Sequence, residues 1–242
     1  LNEGDEGIGI EKLDNGNYMA LRYTYEDGLR DVIAEFDPGL NTTWLWNTSD
    51  HRDELGENYT HGNLAMADLG DDAVYYSARG DNFVAKIDRA SGDVLWLLGA
   101  DRDFALEADE GEPWFQHQHA PEITEAGTML LFDNGSEDRG YSRVMEYALD
   151  EEAMTAEVVW EYPGDLTEEF WFQTKWGDAD RQPNGNTLIT AGSPDEAGDP
   201  VRIFVVTPVG TKAWELWLTP EDPAESYGFF MAERIPSLLQ EI

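Results

Sequence analysis

Cysteine is absent from this 242-residue chain, which excludes disulfides and thiolate metal centres and leaves the redox compartment unread. Basic residues are scarce: 15 Lys and Arg stand against 51 Asp and Glu, for a formal charge of -36. Such a surface repels phosphate backbones and anionic lipid, so nucleic acid is excluded as a partner. The acidic residues are spread along the chain without a long block, which marks a general surface property rather than a binding tail. Molar salt shortens the reach of that self-repulsion to about 3 Å. The expectation is a protein of a high-salt environment that loses stability in dilute buffer.

Long apolar runs are also missing, so no membrane-spanning segment is expected, and no signal peptide is present. The chain starts at Leu1 without methionine, which leaves room for a leader or anchor already removed. Four Asn-x-Ser/Thr triplets, at Asn41, Asn47, Asn58 and Asn134, point to an extracytoplasmic or cell-surface location. The chain has no Gly-rich phosphate loop, no Gly-x-Ser-x-Gly elbow and no dinucleotide fingerprint, so no cofactor is expected. Nothing in the sequence sets an oligomeric state.

What is present is a repeat. Residues 10–21 (IEKLDNGNYMAL), 62–76 (GNLAMADLGDDAVYY), 119–132 (HAPEITEAGTMLLF) and 176–189 (WGDADRQPNGNTLI) each read as strand, Gly-bearing turn, apolar strand. An alternating strand follows each hairpin, at 31–38, 82–89, 142–150 and 201–208, and then a run carrying Trp44, Trp96, Trp160 or Trp214. Four antiparallel strands recurring about every fifty residues build a β-propeller blade, with adjacent blades covering one another's apolar faces. A β-sandwich would also space strands at roughly 8–12 residues, but gives no reason for a tryptophan to recur at every fourth strand. The expectation is an all-β single domain over 1–242, possibly a fragment, with blades at 8–50, 58–100, 115–163 and 171–220. An opening strand of a further blade is expected at 227–239. No segment has convincing helical periodicity, and Glu151–Thr155 is at most one turn.

Histidine is rare, with only four in the chain, and this makes its placement informative. His61, in NYTHGN, and His117 with His119, in FQHQHAP, fall at equivalent points where the chain runs into an inner strand, facing the channel mouth. In an extended segment His117 and His119 share one side, with Gln116 and Gln118 on the other. One strand later the loop FDNGSEDRGYSR carries Asn134 and Arg139. There Arg139 either pairs with a neighbouring carboxylate or clamps an anion through its planar donor fork. Arg79, in SARGDNF, reads first as a structural cation and second as a substrate contact, together with Asn63, Asn134 and His117. The three imidazoles could hold a metal, but beyond His-x-His the spacing matches no metal motif, so none is expected.

The succession NYTHGN, SARGDNFVAKIDRASGDVLWLLG, QHAPEITEAGTMLLFDNGSEDRGYSRVMEYALDEEAMTAEVVWEYP and GDADRQPNGNTLITAGSP resembles the arylsulfotransferases of the arylsulfate type, including their salt-loving archaeal members. The likeness runs from about residue 55 to 215 and is densest from 117 to 163. It implies a six-bladed propeller that moves a sulfuryl group from a phenolic sulfate ester to a phenol without a nucleotide-activated donor. By motif, His61, His119 and Arg139 match the family's channel residues, which implies sulfate and phenol binding and proton transfer. The family's nucleophilic histidine aligns near 189–200, where this chain reads ITAGSPDEAGDP, and no histidine follows His119. The alternative reading is therefore a non-catalytic surface propeller that binds a small anion, a glycan or a protein.

Overall fold

The structure is a computed structural model, and it describes residues 7–24, 30–56, 61–68, 70–107, 114–163, 171–192, 198 and 200–234. The sequon at Asn58, most of 193–199 and residues 235–239 of the expected opening strand lie outside the described residues. Four antiparallel sheets follow one another along the chain, each an up-and-down meander. The first comprises β1 (Gly7–Lys12), β2 (Tyr18–Thr24), β3 (Arg30–Phe36) and β4 (Thr42–Asn47). The second comprises β5 (Gly62–Asp68), β6 (Ala73–Ala78), β7 (Phe83–Asp88) and β8 (Val94–Gly99). A short strand, β9 (Ala105–Glu107), precedes the third sheet of β10 (His119–Ile123), β11 (Met129–Asp133), β12 (Arg143–Asp150) and β13 (Thr155–Tyr162). The fourth holds β14 (Asp178–Arg181), β15 (Thr187–Ala191), β16 (Val201–Val206) and β17 (Lys212–Leu218).

Three of the four opening hairpins close on the expected left-handed glycine, with φ of 87°, 79° and 82° at Gly16, Gly127 and Gly185, a region open to glycine at little cost; in the second sheet the left-handed turn residue is Asp72 (φ 55°) rather than Gly70. The second strand is enclosed on both faces in the second, third and fourth sheets, whereas in β2 burial alternates, with Met19, Leu21 and Tyr23 buried. Every residue of Ala73–Ala78, Met129–Asp133 and Thr187–Ala191 is buried, which explains their unbroken apolar runs. Outer strands are half-exposed, and β17 alternates only weakly.

Sheets pack in series. The first strand of each lies against the first two strands of the sheet before it: β5 against β1 and β2, β10 against β5 and β6, β14 against β10 and β11. Three apolar clusters fill the boundaries. Ile33, Trp46 and Met19 meet Tyr76, Phe83 and Ile87 at the first, Val84 and Leu98 meet Phe115 and Leu131 at the second, and Phe132 and Val144 meet Ile189 and Phe204 at the third. Each such fully buried side chain contributes about 1.5–3 kcal/mol.

Two of the four recurring tryptophans tie sheets together, whereas the buried Trp96 Nε1 has no hydrogen-bond partner among the described residues. Trp44 Nε1 on β4 donates to the Arg89 carbonyl in the β7–β8 turn at 2.9 Å, and Trp160 Nε1 on β13 donates to the Pro208 carbonyl in the β16–β17 turn at 3.0 Å. Trp214 sits at the corresponding place on the last described sheet and is 50% exposed. Ion pairs reinforce the same boundaries: Arg89 with Glu35, Lys86 with Glu151 at 2.7 Å and Arg181 with Glu146.

Three features fall outside the expectation from sequence. A single 3-10 turn at Thr48–His51 and a one-turn helix at Arg52–Leu55 follow the first sheet, with Asn47 Oδ1 capping the Ser49 amide. The strand β9 adds to the outer edge of the third sheet, parallel to β13 through Thr155–Glu157, and so pairs an otherwise open edge. Residues 227–234 form no regular strand; Phe229 N donates to the Gly192 carbonyl at 2.9 Å, and this segment runs beside β14. Among the described residues no helix is long and apolar enough to cross a membrane.

Candidate functional site at the mouth of the inner strands

The loops leading into β5, β10 and β14 share a left-handed kink. It falls on His61 (φ 67°), His117 (φ 54°) and Trp176 (φ 58°), none of them glycine. Two residues later Asn63, His119 and Asp178 therefore hold equivalent places, so the rare histidines are spread over two of three matching positions. The kink also replaces the simple alternation expected for FQHQH. Gln118 is fully buried and donates across to Phe83 O at 2.8 Å and Ser77 Oγ at 3.1 Å. Both histidine rings turn instead to the loop after β11, with His117 Nδ1 on the Gly135 carbonyl at 2.8 Å and His119 Nδ1 on Asn134 Oδ1 at 2.7 Å.

Asn134 fixes the chemistry of His119. Its Nδ2 donates to the carbonyls of Gln173 and Trp176 at 2.8 and 2.7 Å, which forces its Oδ1 toward the imidazole. His119 Nδ1 has a second acceptor in the His117 carbonyl at 3.1 Å. Two acceptors on one ring nitrogen make Nδ1 the protonated one, and the lone pair resides on Nε2. No described residue hydrogen-bonds Nε2. His119 is 2% exposed, and desolvation, then the charges of Arg79 and His61, hold its pKa down at about 4 against the opposing bond to Asn134. Phe230 covers the ring edge-on at 5.8 Å between centroids.

His61 stands more open, with its ring 5.8 Å from that of Tyr23. Partial desolvation and the charges of Arg79 and His117 lower its pKa. Arg79 N donates to the His61 carbonyl at 3.2 Å, and its guanidinium reaches the Thr174 carbonyl, next to the Gln173 carbonyl that holds Asn134, the partner of His119; His61, His117, His119 and Arg79 thus share one mouth. Asn63 backs them: it is buried, and its Nδ2 donates to the Gln118 carbonyl at 2.5 Å.

The two arginines play different parts from those their motifs suggest. The Arg139 guanidinium is engaged with Asp133 through Nη1 at 2.7 Å, with the Tyr141 carbonyl at 3.2 Å and with the Tyr141 ring at 4.8 Å. Asp133 is fully buried and also holds Arg143 at 2.9 Å, so Arg139 braces the loop of Asn134 and Gly135 from behind. Arg79 follows β6 at the place Asn134 holds after β11. Among the described residues it has no carboxylate partner; its Nη2 donates to the Thr174 carbonyl at 2.8 Å and its Nε makes no hydrogen bond. Burial lowers its pKa. The signal for this lies in an absence, the want of a carboxylate near one arginine in so acidic a protein, and only the folded chain displays it.

Below the mouth the inner strands enclose a cavity of about 330 Å³ whose walls include Glu11, Glu122, Asp178, Asp180 and Glu233. Desolvation pushes Glu11 up to about 7 and Glu122 up to about 6, and it raises Asp178 and Asp180, with help from the charges of Glu122 and Glu233 on both and of Asp178 on Asp180. Cationic mouth and carboxylate-lined cavity thus adjoin. Among the described residues no group of three His, Asp or Glu side chains is arranged to hold a metal ion. The sequon asparagine Asn134 is fully buried with its amide engaged, which closes it to a glycan.

Comparison with known proteins points in one direction. The sequence profile described as Arylsulfotransferase (ASST) matches residues 9–213. The chain is 28% identical to the arylsulfate sulfotransferase AssT of Escherichia coli O6:H1 (strain CFT073) in a match that covers 44% of this chain and 23% of that protein. A crystal structure of a protein of unknown function from Bacteroides caccae superposes with a TM-score of 0.61 at 13% identity, over 90% of this chain and 69% of that one.

Proposed function

Since the chain belongs to the arylsulfotransferase family, we propose that it moves a sulfuryl group from a phenolic sulfate ester to a phenol at this mouth, and that its sheets are blades of a β-propeller. The serial packing of first strands supports the propeller. The observation that carries the activity is Arg79, a guanidinium with no carboxylate partner among the described residues, in one mouth with His61, His117 and His119 in a protein of formal charge -36. The Arg79 guanidinium, with the imidazoles of His61 and His117 beside it, suits the oxygens of a sulfate ester, whose charge grows toward the leaving oxygen during transfer.

In the step proposed, the acceptor's phenolic oxygen bonds to sulfur as the bond from sulfur to the donor's oxygen breaks. The acceptor's proton passes to His119 Nε2 and from there to the departing phenolate. Nδ1–H remains on Asn134 throughout and steadies the imidazolium that forms between. Arg79, His61 and His117 hold the oxygens that stay on sulfur. Asn63 and Asn134 shape the pocket rather than react. A second reading, anion binding without transfer, is favoured by Trp176, which stands at the kink where the other two loops carry His61 and His117. Release of para-nitrophenol from its sulfate in molar salt decides between them. Transfer requires release that depends on an added phenol and falls at least about a hundredfold in Arg79→Gln. Sulfate binding with no release supports the second reading.

A further inference from the structure

Three polar side chains serve one purpose at successive sheet boundaries. Asp31 lies at the start of β3, Asn82 directly before β7 and Ser142 directly before β12. Each accepts a backbone N–H from the loop that leads into the first strand of the next sheet. Asp31 Oδ2 takes that of Gly62 at 2.6 Å, Asn82 Oδ1 that of His117 at 2.7 Å and Ser142 Oγ that of Gln173 at 2.8 Å. In the fourth sheet the residue directly before β16 is Pro200, which has no such acceptor.

The first two bonds fall on the kinks that carry His61 and His117. A non-glycine residue in the left-handed region costs about 1 kcal/mol and persists only where its surroundings over-determine it. The surroundings do so here. Asp31 is fully buried and accepts Tyr76 Oη–H on the oxygen that takes the Gly62 amide, while Tyr23 Oη–H donates to the Gly62 carbonyl at 2.6 Å. Gly62 is thus gripped by both its peptide groups, and a Cβ there would come within 2.3 Å of the Tyr76 ring. At the second boundary Asn82 meets His117 N while the Gly135 carbonyl takes its ring. Released from these acceptors, either loop can relax to extended backbone, and its imidazole then swings off the mouth.

We propose that Asp31 and Asn82 are positioning residues, each belonging to the sheet before the histidine it serves, which hold His61 and His117 in register with Arg79 and His119. The proposal rests on the anion-binding reading of this mouth. It makes the site a product of sheet-to-sheet docking, so that slippage at either boundary loosens the anion site before it unfolds a sheet.

The test uses the whole chain in molar salt. Asn82→Gly removes the acceptor while glycine tolerates the left-handed backbone of Asn82 (φ 56°). Val206→Ala, a core deletion in the fourth sheet, serves as the stability control. Inorganic sulfate is titrated against the histidine ring signals by NMR, and amide exchange is followed at His117. The expected result is an affinity loss of about ten- to a hundredfold in Asn82→Gly, little change in Val206→Ala, and a His117 amide that exchanges fast only in Asn82→Gly. Asn82→Asp, which keeps an acceptor, restores protection of that amide. Unchanged sulfate affinity in Asn82→Gly, or an equal loss in Val206→Ala, overturns the proposal. If the unmodified protein binds no sulfate, the anion-binding reading fails. The anchoring is then judged on exchange alone: a His117 amide equally protected in Asn82→Gly overturns it, and one exposed only there supports it.

Discussion

Replacing His119 by Asn should change how stability depends on pH more than it changes stability at any one pH. Asn keeps a donor near the place of Nδ1–H, facing Asn134 Oδ1, but does not titrate. In the folded protein the His119 pKa is held at about 4, whereas the unfolded chain has the ordinary 6.5. Between these values the unfolded chain takes up a proton that the folded one refuses, so the unmodified protein loses stability as pH falls through that window. At about 1.4 kcal/mol per unit, the full difference is about 3 kcal/mol. The buried carboxylates work in the opposite sense. Asp31, raised to about 6, and Glu11, raised to about 7, retain protons in the folded state and so favour folding on acidification. They titrate in both proteins and largely cancel in the difference. The assay is urea unfolding followed by tryptophan fluorescence in molar potassium chloride at pH 7.5 and pH 3.5. The variant should gain on the unmodified protein by about 3 kcal/mol between the two. A gap between the two proteins that does not vary with pH would refute the buried, neutral imidazole on which the mechanism depends.

Three further outcomes are expected. Sulfate affinity should rise as pH falls from 8 toward 5.5, because the lowered pKa of His61 recovers when an anion neutralises the repulsion of Arg79 and His117; a pH-independent dissociation constant would contradict this. Asp133→Asn should cost about 3–5 kcal/mol in the same unfolding assay, since it strips the buried Arg139 and Arg143 of their shared carboxylate, and a loss below 1 kcal/mol would contradict that role. The melting temperature should climb steeply between dilute buffer and molar salt as screening relieves a charge of -36, and a flat curve would remove the reading of a protein adapted to high salt.

The strands were legible because their cause is local. Gly16, Gly127 and Gly185 announce the turns, and the apolar runs at Ala73–Ala78 and Met129–Asp133 announce strands enclosed on both faces. The tryptophan period was visible as well, though the indole N–H bond by which Trp44 and Trp160 hold the next sheet's turn was not. His61, His117 and His119 could be picked out by rarity alone. What the sequence hid depends on partners distant in the chain. Arg139 and Arg79 look alike as letters. Asp133, six residues away, engages the first, while Thr174 and the want of a carboxylate among the described residues define the second. The orientation of Asn134, and with it the tautomer of His119, depends on carbonyls at 173 and 176. The strand β9 was missed because three residues of ALE carry too little pattern, and its partner is β13 nearly fifty residues on.

The central claim is that this mouth passes a sulfuryl group between phenols with His119 Nε2 as the proton carrier. Its most direct test is product mass: the protein is incubated in molar salt with para-nitrophenyl sulfate and a second phenol, and the sulfated form of the second phenol is sought by mass spectrometry. The account predicts that the sulfated phenol accumulates with the unmodified protein and is at least about a hundredfold scarcer with His119→Ala. Accumulation undiminished in His119→Ala, or no sulfated phenol with the unmodified protein, would contradict it.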